Sequence, residues 1–432
     1  MQAASFLPAI ATWIEDEFVP QMVKDGKLRV ENQAPDDEVK IRAVHAHPLE
    51  VSGFALSTPF KVHVELYTFA NPSRVTAHNL VVKKTPPLPP EIFAGAQLEA
   101  LFKNEAIAYT EIIPMLSNKE KYPKYYYSET KPTEATLAME DFSYHGWKMS
   151  NSVVNLSLDH ILCAVTELGS FHGEMYALKE SKPDIFHSIA SKLIETRYAN
   201  MDDTLQLVMK ASVERAIKYV KESNFNEKVP AEFLEQLNVL LAGDIQEYGR
   251  RAVKPIEPLA VITHSDYLRN NIAFKYENDD PSQKPIDAMM FDMQTMRYCT
   301  PAIDLVSLLA ISAMHEIRAP NLDLILKTYH DKLCSVLEAK IGQIPEKYNF
   351  ESFYREYVRF LPHGIHISTC FLSMLLDPVE NLHEMMAEKF TPEKVDELIE
   401  MSMNRGGEVL DIEIAHQIQE CYELYQKFNL KL

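Results

Sequence analysis

The sequence predicts an α+β protein in which a strand-rich N-terminal part precedes a mostly helical C-terminal part. Residues 61–66 alternate strictly between polar and apolar side chains, which is typical of a strand with one buried face. From about residue 150 onward, apolar residues instead recur at the spacing of one helix face. The chain has 432 residues, of which 46% are hydrophobic, so it can bury a large core and is not mainly disordered. We therefore expect a bilobal protein with lobes at residues 1–140 and 141–432.

The N-terminal lobe is predicted to be a small sheet with one helix. Residues 80–83 form a second strand, which ends before a run of prolines. Two further strands are expected at residues 125–127 and 136–139, because aromatic, β-branched and apolar side chains are concentrated there. Before them, the apolar spacing predicts a helix over residues 98–113.

The C-terminal lobe is predicted to be helical except for one β-hairpin. Ser157 is placed to cap a helix that begins at residue 158. Residues 271–274 and 288–291 are predicted strands that flank a polar turn. Further stretches with helical periodicity are residues 205–220, 303–341 and 366–402.

Composition excludes several functional classes. The chain carries 43 basic and 62 acidic residues, a net charge of −19, which disfavours nucleic acid and anionic membrane as partners. The motifs Gly-x-Gly-x-x-Gly, Gly-x4-Gly-Lys and Gly-x-Ser-x-Gly are absent, so dinucleotide-binding, P-loop and hydrolase interpretations lose their main support. The five cysteines are far apart and include no Cys-x-x-Cys, which favours a reducing compartment. No apolar run is long enough to span a bilayer, so we expect a soluble, cytoplasmic protein.

The strongest functional signal is the segment 261–272. In it, His264 and Asp266 are followed by Asn271, and Asp292 ends an apolar run about twenty residues later. A hairpin that brings these two carboxylates and the amide together could hold Mg2+, which prefers oxygen ligands, and orient a hydroxyl. Phosphoryl transfer needs these parts and, in addition, a cation for the phosphates.

The candidate cation is Lys83, the last residue of an apolar strand. Glu105, on the following helix, is its candidate partner, because an ion pair would fix the ammonium group over the phosphates. Taken alone, Glu105 would be an ordinary exposed glutamate. The assignment of Lys83 and Glu105 to a phosphate-binding site therefore depends on the carboxylates further along the sequence.

Other polar residues have simpler interpretations. His264 alone is more often a hydrogen-bonded structural histidine than a base, and Asp304 is expected in the first turn of a helix. His363 and His366 could suggest a metal site, but no third ligand is evident. We therefore assign none of them a catalytic role.

The motifs together resemble those of the ecdysteroid kinase-like proteins, a branch of the aminoglycoside phosphotransferase and choline kinase group. The resemblance covers roughly residues 40–380, and its specificity comes from the order and gaps of the motifs. They are Val81-Val82-Lys83-x-x-Pro86, Phe102-x-x-Glu105-x-x-x-Tyr109-x-x-Ile112-Ile113-Pro114, Glu140-Asp141-Phe142, Phe171-His172 at the end of a helix, His264-x-Asp266-x4-Asn271, Phe291-Asp292-Met293-Gln294 and Pro301-Ala302-x-Asp304-Leu305. The resemblance implies a bilobal, protein kinase-like fold with a small antiparallel-sheet N-lobe and a large helical C-lobe.

The resemblance also implies roles for the C-terminal candidates. Asp266 would be the catalytic residue, and Asn271 and Asp292 would be the metal ligands. The family usually has Gly where this chain has Ser265, and Phe where it has Met293. Met293 is expected to pack in a similar way because its side chain is apolar and adaptable.

For the nucleotide, the resemblance implies ATP bound in the N-terminal lobe. Lys83 would bind the phosphates and Glu105 would hold Lys83. The adenine would be bound by the segment of Met139, Glu140 and Asp141, and Ser57, which follows Gly53, would lie over the phosphates.

These inferences predict an ATP- and Mg2+-dependent kinase that phosphorylates a hydroxyl of an apolar metabolite, such as an ecdysteroid or a xenobiotic alcohol. One alternative is a choline- or aminoglycoside-type phosphotransferase, whose amine acceptor would need an acidic pocket. Another is a kinase-like binding protein without turnover. A protein kinase is disfavoured, because Asp-Phe-Gly and Ala-Pro-Glu are absent and the gap from Asp292 to Asp304 is too short for an activation loop. The sequence leaves the acceptor and the oligomeric state open.

Overall fold

The structure, a computed structural model, describes residues 2–34, 36–49, 57–378 and 391–432, which form two compact units. The first, here called the sheet unit, runs to Pro114 and includes Asn118–Gly146. The second, here called the helical unit, contains Met115–Ser117 and the rest of the described chain from Trp147 onward.

The sheet unit is built on five antiparallel strands in the order β1-β2-β3-β5-β4. All four strands predicted in this region are confirmed, and β1 is an additional one. Side chains of β2 alternate in burial as its sequence predicts, since every second residue from Phe60 to Thr68 is buried. The strands are β1 Val39–Pro48, β2 Thr58–Thr68, β3 Asn71–Lys84, β4 Tyr125–Lys131 and β5 Glu134–Glu140.

Helices complete the sheet unit. The N-terminal segment, for which no element was predicted, forms α1 Gln2–Trp13, a π-helical turn at Ile14–Phe18 and α2 Val19–Lys24. It buries its apolar residues in one core with Phe60, Val62 and Val64 of β2. Helix α3 spans Pro90–Gly95. The helix predicted over residues 98–113 is confirmed as α4 Leu98–Ile107. It continues as a π-helical turn at Ala108–Ile112 and a 3-10 turn at Ile113–Met115.

Helices make up most of the helical unit. The predicted cap is confirmed, because the Ser157 hydroxyl accepts a hydrogen bond from the N–H of His160 at the start of the first helix. The predicted stretch 303–341 is two helices, and part of the stretch 366–402 lies outside the described residues. The helices are α5 Leu158–Ser181, α6 Pro183–Ala190, α7 Asp203–Glu222, α8 Ala231–Ala242, α9 Ile245–Ala252, α10 Ala302–Ser312, α11 His315–Ile341, α12 Phe350–Arg359, α13 Leu361–Leu376, α14 Pro392–Asn404 and α15 Gly407–Lys427.

Short strands position the functional loops of the helical unit. The predicted hairpin is confirmed, with Ile272 opposite Met290 and Phe274 opposite Ala288. A second ladder joins two three-residue strands, whose middle residues Ile262 and Tyr298 are partners. The strands are β6 Lys148–Met149, β7 Val261–Thr263, β8 Ile272–Tyr276, β9 Pro285–Met290 and β10 Arg297–Cys299.

These observations confirm the predicted α+β class, with an antiparallel N-terminal sheet and a large helical C-terminal part. In the described part of the chain, no helix has both the length and the apolar character needed to cross a bilayer.

Candidate active site

The loop that carries Asp266 begins directly after β7 and is held by Asp304, in the first turn of α10. The Asp304 carboxylate accepts hydrogen bonds from the backbone N–H of His264 at 2.9 Å and of Ser265 at 2.6 Å. Asp304 is completely buried, so these charge-assisted bonds form where water does not compete. As predicted, Asp304 begins a helix, but its side chain also fixes the backbone of the loop.

A second histidine completes the surroundings of Asp304. Nε2 of His172 lies 3.2 Å from Oδ2 of Asp304, and its Nδ1 lies 2.8 Å from the hydroxyl of Tyr329. The resemblance placed Phe171-His172 at the end of a helix, and this is wrong, because α5 continues to Ser181. The residues after His172 are also buried, and α5 packs along α11, so the apolar face that maintains the helix extends beyond the pair.

His264 joins the loop to the segment that leads to Asp292. Its Nδ1 accepts a hydrogen bond from the N–H of Asp266 at 3.3 Å, which leaves Nε2 to donate to the carbonyl of Phe291 at 2.9 Å. Its own carbonyl accepts from the hydroxyl of Thr295. The structural interpretation of His264 agrees with this geometry.

Ser265 adopts a backbone conformation that usually requires glycine. Its φ is +66°, in the left-handed region where a Cβ is unfavourable. The hydroxyls of Ser265 and Thr263 are 2.6 Å apart, and the Ser265 N–H is bound by Asp304. These contacts stabilise Ser at a position where the resemblance leads us to expect Gly.

The carboxylate of Asp266 is held from two sides. Its Oδ1 accepts a hydrogen bond from Nη2 of Arg197 at 2.6 Å, and its Oδ2 accepts one from Nδ2 of Asn271 at 2.9 Å. The side chains of Arg197 and Asp266 are 19% and 22% exposed, so a small molecule can reach the pair. Nδ2 of Asn271 also donates to the Asp266 carbonyl, which orients its Oδ1 away from Asp266.

Asn271 and Asp292 are close because of the hairpin. The N–H of Phe291 donates to the carbonyl of Asn271 at 3.0 Å, and Asp292 is the next residue, with a φ of +60°. Asp292 also accepts a hydrogen bond from the side chain of Gln294. The amide oxygen of Asn271 and the carboxylate of Asp292 are hard oxygen donors of the kind that Mg2+ prefers, and this ion usually keeps several waters. The two residues therefore fit the metal that the sequence implied.

In the sheet unit, Lys83 and Glu105 form the expected ion pair. Nζ of Lys83 lies 2.7 Å and 2.9 Å from the two carboxylate oxygens of Glu105, whose side chain is only 1% exposed. Lys84 points to the other face of the sheet, where it contacts Glu134 and the ring of Trp13. Of the two adjacent lysines, it is thus Lys83 that meets Glu105.

The remaining predicted nucleotide contacts lie at the end of β5 and before β2. Sδ of Met139 accepts a hydrogen bond from the hydroxyl of Tyr109, and Asp141 binds Lys61 at 3.1 Å. The N–H groups of Glu140 and Asp141 already donate to backbone carbonyls. An adenine bound there would therefore contact atoms of this segment other than these two N–H groups. Ser57 is described and partly buried, whereas Gly53 lies outside the described residues.

Arg197 is a site residue that the sequence did not predict. The side chain of Glu195 accepts hydrogen bonds from the N–H groups of Arg197, Tyr198 and Ala199, and this fixes the loop that presents the guanidinium group. The local run Glu195-x-Arg197 belongs to none of the motifs found in the sequence, so only the fold reveals the proximity of Arg197 to Asp266.

A sequence model of the ecdysteroid kinase-like family matches residues 54–340, which include every predicted site residue. The chain belongs to the ecdysteroid kinase-like family. The predicted family is therefore confirmed, and with it a kinase-like phosphotransferase assignment at the level of the family. A search of curated proteins gave no match.

Several solved structures match this member of the ecdysteroid kinase-like family at low identity. The aminoglycoside phosphotransferase APH(3'')-Id from Streptomyces rimosus, in complex with ADP and streptomycin, is 14% identical, with a TM-score of 0.33 and coverage of 75% of this chain and 92% of that chain. The AMP-bound spectinomycin phosphotransferase APH(9)-Ia is 11% identical, with a TM-score of 0.32 and coverage of 82% and 90%. A type VIII aminoglycoside-3'-phosphotransferase is 10% identical, with a TM-score of 0.30 and coverage of 71% and 91%.

Proposed function

We propose that this chain is an ATP- and Mg2+-dependent kinase that transfers the γ-phosphate to a hydroxyl of an apolar metabolite, such as an ecdysteroid or a xenobiotic alcohol. The observation that carries the proposal is the Asp266 carboxylate, which accepts hydrogen bonds from Arg197 and Asn271. The carbonyl of Asn271 in turn accepts a hydrogen bond from the N–H of Phe291, the residue before Asp292. A carboxylate held in this way can orient an acceptor hydroxyl and accept its proton.

In this reaction the acceptor oxygen forms a bond to the γ-phosphorus while the bond from phosphorus to the ADP oxygen breaks. Asp266 takes the hydroxyl proton, so the charge that develops on the acceptor oxygen is limited. Because Asp266 is anchored by two hydrogen bonds, little reorganisation is needed when the acceptor binds.

The other candidates would bind the nucleotide. Asn271 and Asp292 would hold Mg2+, which supplies positive charge to the phosphates when it is bound. Lys83 would bind phosphate oxygens, and Glu105 would keep its ammonium group in place. Met139, Glu140 and Asp141 would contact the adenine, and Ser57 would lie over the phosphates.

A choline- or aminoglycoside-type acceptor is the principal enzymatic alternative. A cationic acceptor would have to approach Asp266 beside the guanidinium group of Arg197, which repels it. A kinase-like binding protein without turnover is a further alternative, but the catalytic positions that the family resemblance leads us to expect are all filled. We therefore favour an active kinase with an uncharged acceptor.

The proposal is tested by measuring thermal stability with ATP, with and without Mg2+, and then by assaying phosphate transfer to ecdysone, choline and streptomycin. We expect stabilisation by ATP that Mg2+ increases, because a ligand that binds only the folded state raises the melting temperature. We expect transfer to ecdysone that is lost in Asp266→Asn. A protein that binds Mg2+·ATP but transfers phosphate to none of many hydroxylated compounds would support the binding-protein alternative.

A further inference from the structure

Lys61, on β2, reaches across the sheet to the segment that follows β5. Its Nζ lies 3.1 Å from Oδ2 of Asp141 and donates a hydrogen bond to the hydroxyl of Ser143 at 3.1 Å. Because β3 lies between β2 and β5 in the sheet, the side chain of Lys61 has to cross β3 to make these contacts. The side chain of Lys61 is 45% exposed and that of Asp141 is 5% exposed, so a ligand can reach the lysine.

The register of the sheet places Lys61 on the same face as Lys83. Lys61 is opposite Val81 on β3, which is opposite Met139 on β5, so these three residues lie side by side and are here called the Lys61 row. Val81 is two positions before Lys83, and residues two apart on a strand point to the same face. The other face packs on the N-terminal helices, since Val82, between Val81 and Lys83, belongs to that core.

The Lys61 row lies on the path of a nucleotide bound in the sheet unit. Along the strands it is two residues, or about 7 Å, from Lys83, the proposed contact of the phosphates. The proposed adenine contacts begin at Met139, which ends the row. Met139 is only 3% exposed, whereas Val81 and Lys61 are partly exposed. A base that extends from Lys83 towards Met139 therefore meets the alkyl stem of Lys61 where that stem crosses β3.

The contacts of Asp141 hold the lysine in this position. Oδ1 of Asp141 accepts a hydrogen bond from the N–H of Ser143 at 2.9 Å, and the N–H of Asp141 donates to the carbonyl of Asn79 at 2.9 Å. Because this carboxylate is fixed, it keeps the ammonium group of Lys61 at one place and the stem extended over β3. A side chain that is placed before the ligand arrives loses less conformational entropy on binding.

We propose that Lys61 is a further nucleotide-binding residue, whose stem and ammonium group form the surface on which the base of ATP stacks. This assignment rests on the nucleotide contacts of the proposed kinase function. A cation over the face of an aromatic ring is attracted by its π electrons, and the stem adds apolar contact. The N–H groups of Glu140 and Asp141 already donate to backbone carbonyls, which increases the share of such stacking in the affinity for the base. A purine has the larger ring system and is bound more tightly than a pyrimidine.

The test measures the binding of ATP, CTP and inorganic tripolyphosphate to the full chain by calorimetry in the presence of Mg2+. Tripolyphosphate has phosphates but no base, so its affinity reports on the phosphate contacts alone. We expect Lys61→Ala to weaken ATP binding by roughly tenfold and tripolyphosphate binding by less than about twofold, because the base alone loses its partner. The preference of the wild type for ATP over CTP should become smaller in the same variant.

Further variants separate stacking from a structural role of the ion pair. Lys61→Met and Lys61→Ala both remove the pair with Asp141, so a difference in ATP affinity between them reports on the stem. We expect Lys61→Met to lie between the wild type and Lys61→Ala. Lys61→Arg should retain most of the affinity, because a guanidinium group also stacks on aromatic rings. The matched control is Lys40→Ala, an exposed lysine of β1 that pairs with Glu38, and it should bind all three ligands like the wild type.

Three results would overturn the assignment and leave the kinase proposal standing. They are wild-type ATP affinity in Lys61→Ala, an equal loss of ATP and tripolyphosphate binding in that variant, and a wild type that binds ATP no more tightly than tripolyphosphate. ATP binding that depends on Lys61, without phosphate transfer to any alcohol, would support the assignment and contradict the kinase proposal. A wild type that binds neither ATP nor tripolyphosphate would overturn both.

Discussion

Arg197 and Asp266 form an ion pair in which Nη2 of the arginine lies 2.6 Å from Oδ1 of the aspartate. The two residues are 69 positions apart in the chain, and the pair leaves Oδ2 of Asp266 to Asn271. An anchored carboxylate keeps one orientation, which a proton acceptor in phosphoryl transfer needs. The pair also places a fixed positive charge where an acceptor would approach.

The first prediction concerns this carboxylate. Asp266→Asn keeps the size of the side chain but removes the proton acceptor, so turnover should fall by roughly 10²-fold or more while ATP binding changes little. Arg197→Ala should lower turnover less, because Asn271 still orients Asp266. Both are measured by steady-state kinetics with ecdysone. Wild-type turnover in Asp266→Asn would exclude Asp266 as the catalytic residue.

The second prediction concerns Mg2+. Asp292→Ala should abolish the extra stabilisation that Mg2+ adds to ATP, because a proposed ligand of the ion is removed. Glu277→Ala, an exposed acidic residue between β8 and β9, is the matched control and should behave as the wild type. Melting curves with ATP, with and without Mg2+, provide the measurement. If the Mg2+ effect persists in Asp292→Ala, the metal is held by other residues.

The third prediction separates the nucleotide role of Lys83 from its structural role. Lys83→Met leaves the buried Glu105 without its cation and should destabilise the fold by about 3–5 kcal/mol. The double variant Lys83→Met/Glu105→Leu should recover much of that stability, because both charges are gone, but should bind ATP no better than Lys83→Met. Denaturant unfolding and ATP titration give the two readouts. ATP binding restored along with stability would mean that Lys83 is only structural.

The fourth prediction concerns the support of the Asp266 loop. Asp304→Asn replaces one of two acceptor oxygens by a donor and removes the charge that the N–H groups of His264 and Ser265 share. We expect a loss of about 2–4 kcal/mol in the free energy of unfolding, because buried bonds to a charged acceptor are lost. Asp331→Asn, an exposed residue of α11, should have almost no effect. Equal stabilities of the two variants in urea would contradict the role given to Asp304.

The fifth prediction concerns pH. Folded His366 has a pKa of about 4 against an ordinary value of 6.5, mainly because it is buried, with a further contribution from Arg197. Between these values His366 binds a proton in the unfolded chain but not in the folded chain. The free energy of unfolding is therefore unaffected by this group above about pH 6.5 and decreases as the pH falls below it. The melting temperature of His366→Leu relative to that of the wild type should therefore increase from about pH 7 to pH 5. A constant difference across this range would show that His366 is not held neutral.

Local patterns predicted the strands, the hairpin and the capped helix well, since each depends on residues close together in the sequence. The N-terminal helical segment was missed although Ile10, Ile14, Phe18 and Met22 recur every four residues. That spacing drifts around a regular α-helix, and the π-helical turn at Ile14–Phe18 absorbs the drift. The pattern was therefore present but did not match the usual period.

The candidate site could be predicted only in part. Asp266, Asn271 and Asp292 lie on one loop and one hairpin, so their spacing reflects their geometry. Arg197, by contrast, reaches Asp266 from a segment between two helices, and Asp304 holds backbone groups about forty positions earlier in the chain. No short-range pattern encodes contacts of that kind, because the tertiary fold creates them.

The placement of Lys83 on one face of β3 and Lys84 on the other determines how the site responds to insertions and deletions. A one-residue slip of this strand would bring Lys84 to Glu105 and turn Lys83 towards Trp13, so a lysine would still be available at the ion pair. The same slip would expel Leu80 and Val82 from the core, where both are fully buried. The apolar residues of β3 thus determine which of the two lysines contacts Glu105. A length change in the preceding turn that shifted the strand would destabilise the core, so such a change would be lost through misfolding and not through an altered site.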